Sequence, residues 1–315
     1  MCKVTISTYE FLKRFPDEIA ARKYLEAHRW GNVPTCPYCA CARHMHKQSR
    51  AGVDGYYRCP DCRKPFTART GTIFERSHIP LDKWLFAMYL LATSRKGVSS
   101  LQLSKELGIT QKSAWFLLQR IREALGGNDD DQDGTGNGFL SGIIEADETY
   151  IGGKESNKHE SKKLHAGRGT VGKMAVMGMR ERGGAVKALH LHNTSASTIQ
   201  SAVKGAVAPG SVLCTDEHAS YRGMAEYEHL SVNHSAKQFV DGMAHTNSIE
   251  SVWAVLKRGF YGIYHSFSQK HLQRYINEFT YRLNEGNVRA QTMDRINVLL
   301  YKTHGKRLTY QQLIA

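Results

Sequence analysis

The feature that most constrains this chain is a pair of cysteine knuckles near its start. Cys36-Pro37-Tyr38-Cys39 and Cys59-Pro60-Asp61-Cys62 are two C-x-x-C units separated by 19 residues. Four thiolates at this spacing suit a tetrahedral Zn²⁺, which supplies folding energy to a module too small for its own core. The strand-like run Gly55-Tyr56-Tyr57-Arg58 leading into the second knuckle fits a zinc ribbon. A redox C-x-x-C would sit at a strand-to-helix turn, and neither knuckle does. Four protein ligands, Cys36, Cys39, Cys59 and Cys62, leave no open coordination position, so the expected Zn²⁺ is structural. Cys41, His44 and His46 lie nearby and are read as bystanders, Cys2 and Cys214 as ordinary thiols. An odd total of seven cysteines argues against a disulfide framework.

Charge points to the partner. The formal net charge is +14, which favours a polyanion, with an anionic membrane surface as the weaker rival. Residues 1–125 hold 21 Lys and Arg against 10 Asp and Glu. On the ribbon, Arg43, Lys47, Arg50, Arg58, Arg63, Lys64 and Arg69 are expected to meet phosphates, although a solvated basic face has the same composition. No apolar run approaches the roughly 20 residues of a membrane helix. MCKVTISTYEFLKRF lacks the features of a signal peptide. A cytoplasmic, nucleoid-associated protein is therefore expected.

Apolar spacing predicts a helix over Thr8 to Ala27 and three more from Pro80 to Leu125. The last two, Ser99 to Leu107 and Gln111 to Leu125, flank Gly108-Ile109-Thr110 in a helix-turn-helix outline; a plain three-helix bundle has the same pattern. Residues 126–138 carry five glycines and four Asp and read as a flexible linker, without the spacing of a Ca²⁺ loop.

Strands are expected at Ile143–Asp147, Lys173–Met179, Val186–Leu191, Ser211–Thr215 and Leu230–Val232. Helices are expected at Ser197–Val207, near Tyr221–Tyr227, at Ser248–Arg258 and at Gln269–Leu283. Three strands as hairpins, then alternating helix and strand, is the order of an RNase H-like α/β domain. Gly167-Arg168-Gly169-Thr170-Val171-Gly172-Lys173 imitates a phosphate loop, but Met174 replaces the Mg²⁺-binding hydroxyl and the segment leads into a strand.

Asp147 and Asp216 each end an apolar strand, and neighbouring first and fourth strands would set them at one edge. Glu250 follows Asp216 by 34 residues on the next helix, with Asn247 at i−3 and Lys257 at i+7. Three converging carboxylates suit two Mg²⁺ (or Mn²⁺) ions and phosphodiester chemistry, with Lys257 holding DNA or the scissile phosphate. Without cations such a cluster is costly.

CPYC…CPDCRKPFTARTGTIFE, EADETYIGGKE, GRGTVGK, LCTDEHASY and HTNSIESVWAVLKR, in this order, resemble the zinc-ribbon, ISXO-like group of DDE insertion-sequence transposases. The resemblance covers about Cys36 to Leu283. It implies metal-dependent strand cleavage and transfer at transposon ends, with Asp147 and Asp216 as the first two ligands. The third position falls to Glu250 or Asn247, with His245 close by; Glu250 is preferred because Lys257 follows it by seven residues and a carboxylate suits Mg²⁺ better than an amide. The expected organisation is a helix and zinc ribbon over 1–76 and a helix-turn-helix over 77–125. The linker, an RNase H-like catalytic domain over 139–290 and a tail over 291–315 follow. The expected partner is double-stranded DNA, bound by a homodimer or larger assembly, since two ends must be held together. A non-catalytic DNA-binding derivative and a structure-selective nuclease are the competing readings.

Overall fold

The computed structural model describes residues 5–43, 45–50, 53–126, 138–153, 155–164, 169–216, 219–232, 245–286 and 290–315. They fall into two compact units, residues 1–126 with 285–315, and residues 127–284. Residues 127–137 of the expected linker, together with His44, Lys154, Glu217 and His218, lie outside the described residues.

In the first unit, a capping box between Ser7 and Glu10 opens α1 (Thr8–Arg14). The single helix expected over 8–27 is two helices. Pro16 cannot continue the first, and the Asp17 carboxylate accepts from Ala20 N at 2.8 Å to start α2 (Glu18–Trp30). The ribbon strands β1 (His46–Arg50), β2 (Val53–Arg58) and β3 (Pro65–Phe66) form an antiparallel sheet in that order. Next come α3 (Leu81–Thr93), α4 (Ser100–Leu107) and α5 (Gln111–Leu125). Gly108 closes α4 at φ 60°, a left-handed turn that glycine adopts without strain, and the Thr110 hydroxyl caps α5 at Ser113 N.

The second unit is built on a five-stranded sheet. Its strands are β4 (Ile143–Ile151), β5 (Met174–Glu181), β6 (Val186–Leu191), β7 (Val212–Asp216) and β8 (Glu228–Val232), in the order β6-β5-β4-β7-β8. β4, β5 and β6 are antiparallel neighbours, whereas β7 and β8 add in parallel. Helix α6 (Ala196–Lys204) covers one face, where Ile199 and Val203 pack with Ile144, Ala146 and Leu213. Helices α7 (Asn247–Gly259) and α8 (Leu272–Asn284) cover the other, where Ile249, Trp253, Leu256 and Ile276 pack with Val176 and Ala188. The alternation of β4 between these two cores follows from the two-residue period of a strand. Polar side chains of α8 also seal the open edge of β6: Asn284 pairs with both backbone groups of Val186, and Gln273 with His190 N and Ala188 O. The arrangement is an RNase H-like α/β domain with a zinc ribbon and three helices before it.

Residues 291–315, expected as a tail, form α9 (Thr292–Tyr301) and α10 (Tyr310–Ile314) and belong to the first unit. Ile296, Leu299 and Leu300 of α9 are fully buried. Arg295 Nη1 donates to Ala92 O at 2.7 Å, and the Tyr24 hydroxyl donates to Asn297 Oδ1 at 2.5 Å. The Tyr310 ring of α10 meets the edge of Phe116 on α5 at 5.6 Å. The apolar periodicity of Met293, Ile296, Leu299 and Leu300 is that of an amphipathic helix with one face to bury.

Candidate active site and metal centre

The two knuckles repeat one backbone pattern. Ala40 N donates to Cys36 O and Arg63 N to Cys59 O, each at 3.0 Å; Cys36 N then bonds Cys41 O and Cys59 N bonds Lys64 O. Ala40 and Arg63, the residue after each second cysteine, share a left-handed φ of 56° and 59°. The four thiols lie within 4.8 Å of one another, with Cys36 to Cys62 and Cys39 to Cys59 both at 3.6 Å. A tetrahedron of sulfurs about 2.3 Å from Zn²⁺ has edges of about 3.8 Å, so the four residues fit the ion. Burial, with Cys39 and Cys62 beside it, pushes the Cys36 thiol up to about 12, a burden that coordination relieves. Tyr57 and Phe66 stack at 5.6 Å, and Trp30 of α2 closes over both edge-on, giving the module its small core. Cys41 stands outside the sulfur cluster, as expected.

The acidic residues are assembled by the sheet. Asp147 sits in the middle of β4 rather than at its tip, because antiparallel pairing with β5 continues to Ile151 and places Asp147 opposite Gly178. On the other side the registered pairing with β7 ends at Glu145 and Cys214. Asp147 and Asp216 each lie two residues further along, on one face of adjacent strands. Burial, then the charges of Glu148 and Asp216, push the Asp147 carboxyl up to about 6, against the pull of the Trp253 indole N–H, which donates to Oδ2 at 2.9 Å. Two hard oxygen donors on one face, one of them raised by burial and neighbouring charge, are chemically suited to a divalent cation. Glu148 turns to the opposite face and accepts from the buried Tyr221 hydroxyl, whose own titration is driven well above the usual range by burial and then by Glu148.

Asn247, Glu250 and Lys257 are all exposed on α7. Glu250 Oε1 accepts from the Thr246 hydroxyl at 3.4 Å. Among the described residues, the four cysteines are the one group of three or more His, Cys, Asp or Glu ligand atoms that gather within 4.8 Å. The structure thus brings Asp147 and Asp216 together, while Glu250 does not close with them to ligand distance. His245 lies two residues before α7, with Nδ1 3.1 Å from Glu145 Oε1.

Three residues around this site escaped the sequence reading. Gly178 leaves room for Trp253: a Cβ there would sit 2.4 Å from the indole ring. Trp253 belongs to the core and is also a donor to Asp147. Glu145 is fully buried, and its signal was legible as a lone charge inside an apolar strand, on the face of Asp147. Burial pushes its carboxyl up, but hydrogen bonds from Ser248, Arg182 and Ile249 outweigh this and hold it below the usual carboxylate range.

Residues 139–284 match the ISXO2-like transposase domain, and residues 16–65 match the transposase zinc-ribbon domain. A protein of the transposable element ISH50 of Halobacterium salinarum is 28% identical over 283 residues, covering 86% of this chain and 92% of that protein. A chain of the simian T-cell lymphotropic virus intasome in complex with PP2A regulatory subunit B56 gamma is similar at 15% identity and a TM-score of 0.27, over 56% of this chain and 63% of that one, too distant to bear on function. No described helix is long and apolar enough to cross a membrane. The two matched segments fall in order on the ribbon and on the sheet, so the chain carries a transposase zinc-ribbon domain followed by an ISXO2-like transposase domain.

Proposed function

We propose that this transposase cuts DNA strands at insertion-sequence ends and joins the freed 3′ ends to a target duplex, with Asp147, Asp216 and Glu250 as its active-site carboxylates. The observation that carries the reading is Asp147 and Asp216 side by side on adjacent strands, with the Asp147 carboxyl pushed up by burial and by neighbouring charge and held by the Trp253 indole. Two Mg²⁺ or Mn²⁺ ions held there would supply Lewis acidity to the attacking and leaving oxygens of the phosphodiester. The chain's own part is to hold carboxylates at fixed spacing and to place DNA. Supporting Glu250 over Asn247 is helix geometry: at about 100° per residue, Glu250 lies about 60° around α7 from Trp253 and Asn247 about 120°. Lys257 shares the azimuth of Glu250 to within about 20° and would face the scissile phosphate.

The ribbon, with a structural Zn²⁺, and α4–α5 as a helix-turn-helix are assigned to binding the ends as double-stranded DNA. The catalytic domain is assigned to 139–290 and the helix-turn-helix to 77–125, each end engaged by one subunit of a dimer or larger assembly. The setting is the cytoplasm, at the nucleoid. At the start of α5, Gln111 is bonded to Ser100 and the Lys112 ammonium lies 4.8 Å from the Tyr310 ring centre, so the DNA-reading face of this helix begins at residues already in use.

The test is strand cleavage and joining on a labelled duplex bearing the element's own ends, with Mg²⁺ or Mn²⁺. Asp147→Ala and Glu250→Ala are expected to lose at least about 10³-fold in rate with end binding retained, and Asn247→Ala to keep most activity. Loss on Asn247→Ala but not Glu250→Ala transfers the third position to the amide. Cleavage without joining would make the protein a nuclease, and tight end binding by wild type without cleavage a DNA-binding protein.

A further inference from the structure

We infer that Glu145 is a positioning residue for the reaction: from the interior of β4 its carboxylate caps the N-terminus of α7, fixing the helix that carries Glu250 to the strand that carries Asp147. The first turn of a helix leaves backbone N–H groups without partners, and a side chain of the preceding residue normally takes one of them. Thr246, in that position, makes no such bond. Instead Ser248 N and Ile249 N donate to Glu145 Oε2 at 2.8 and 3.1 Å, across more than a hundred residues of sequence.

The other carboxylate oxygen is held as firmly. Glu145 Oε1 accepts from Arg182 Nε at 2.8 Å, and Arg182 Nη2 donates to His245 O at 3.1 Å, so one guanidinium ties the carboxylate to the residue that leads into α7. From β5, Arg180 Nη1 donates to Ser248 O at 2.9 Å. A negative charge at the positive end of the helix dipole is favourable, and a buried carboxylate accepting three hydrogen bonds is tolerated where a bare one is not. The point is where the cap comes from. A local Ser or Asp cap would secure the helix end only to itself. A cap from β4 sets the height and rotation of α7 against the strand two residues from Asp147, and Glu250 follows one residue after the capped amides. Misplacement of a catalytic group by about 1 Å costs on the order of 10²-fold in rate.

This inference rests on Glu250 acting in the trio, and its test separates the two ideas. In Glu145→Gln, which keeps shape and loses charge, amide exchange across residues 246–250 is expected to rise more than tenfold over wild type while α8 and the ribbon keep their protection. End cleavage is expected to fall on the order of 10²-fold in kcat, with KM for end DNA within twofold. Glu145→Asp, which is charged but too short, is expected to fall between the two. Unchanged exchange at the start of α7 would overturn the cap, and raised exchange with kcat within threefold of wild type would overturn the positioning role. Should Glu145→Gln fail to fold, Arg182→Lys, which keeps the charge and loses the fork, carries the same two readouts. If Glu250→Ala cleaves normally, the trio reading fails, while the exchange experiment still decides the cap.

Discussion

The zinc ribbon and the acidic site solve the same problem, gathering side chains that repel one another when ionised, at opposite ranges. Residues 36–62 do it with two copies of one turn, each closed by its own backbone hydrogen bonds, so the sulfurs meet because of local geometry. Asp147 and Asp216 meet because two strands pair in parallel register, and Glu250 is referred to them through a helix whose end is held by Glu145. A local site forms or fails with its own module. A distributed site can keep its fold and lose its geometry, so its supporting residues are as exposed to mutation as its carboxylates.

The largest effect should come from breaking the local site. Removing Zn²⁺ with a chelator, or Cys59→Ser, is expected to unfold the ribbon, since metal binding to such modules is worth about 10 kcal/mol. Metal analysis should read one Zn per wild-type chain and none in the variant, with the amide protection of the sheet in residues 139–284 intact. Loss of protection in both units would mean that the ribbon does not fail on its own.

The distributed site is expected to respond through its charge. Asp147 titrates at about 6 in the folded protein against an ordinary 3.8, so its ionised form costs stability. The penalty is absent below about pH 3.8 and complete above about pH 6. Metal-free Asp147→Asn should therefore be more stable than wild type at pH 8, by about 2 kcal/mol, with the gap closing as pH falls towards 4. Mg²⁺ should raise the melting temperature of wild type and leave the variant unmoved. Equal melting curves at pH 8 and pH 4 would sink the idea.

Gly178→Ala tests the packing between strand and helix. A methyl 2.4 Å from the Trp253 ring forces α7 away from β5, at about 1–3 kcal/mol of stability by denaturant melts, and with slower end cleavage. The smallest change is Trp253→Phe, which removes the indole donor worth about 1 kcal/mol. The Asp147 carboxyl, followed by carbon NMR without metal, should then titrate above its wild-type value; an unshifted titration would mean the bond does not form.

What could be read from the sequence follows the same division. The ribbon was complete in two C-x-x-C pairs because spacing alone dictates it. The order of strands and helices in the second unit was readable from apolar runs, and with it the pairing of the strands bearing Asp147 and Asp216. Less was visible where a long-range partner decides. The strand was expected to stop at Asp147, yet β5 carries it on to Ile151. The break at Pro16 was hidden by an apolar periodicity that runs through it. Glu145 was passed over because its partners, Arg182, Ser248 and Ile249, acquire their meaning only once β4, β5 and α7 are stacked.

The return of α9 and α10 to the first unit makes that unit discontinuous, with the whole second unit spliced into it. A ribosome therefore releases residues 138–284 before it releases the helix that completes the earlier-made half. Domains fold largely as they emerge, so the sheet bearing Asp147 and Asp216 is finished while α2 and α3 still lack the Ile296, Leu299 and Leu300 surface. The unit begun first along the chain is thus the one whose last elements come last. A copy ending near residue 284 would carry Asp147 and Asp216 on a complete sheet while its first unit lacked α9 and α10.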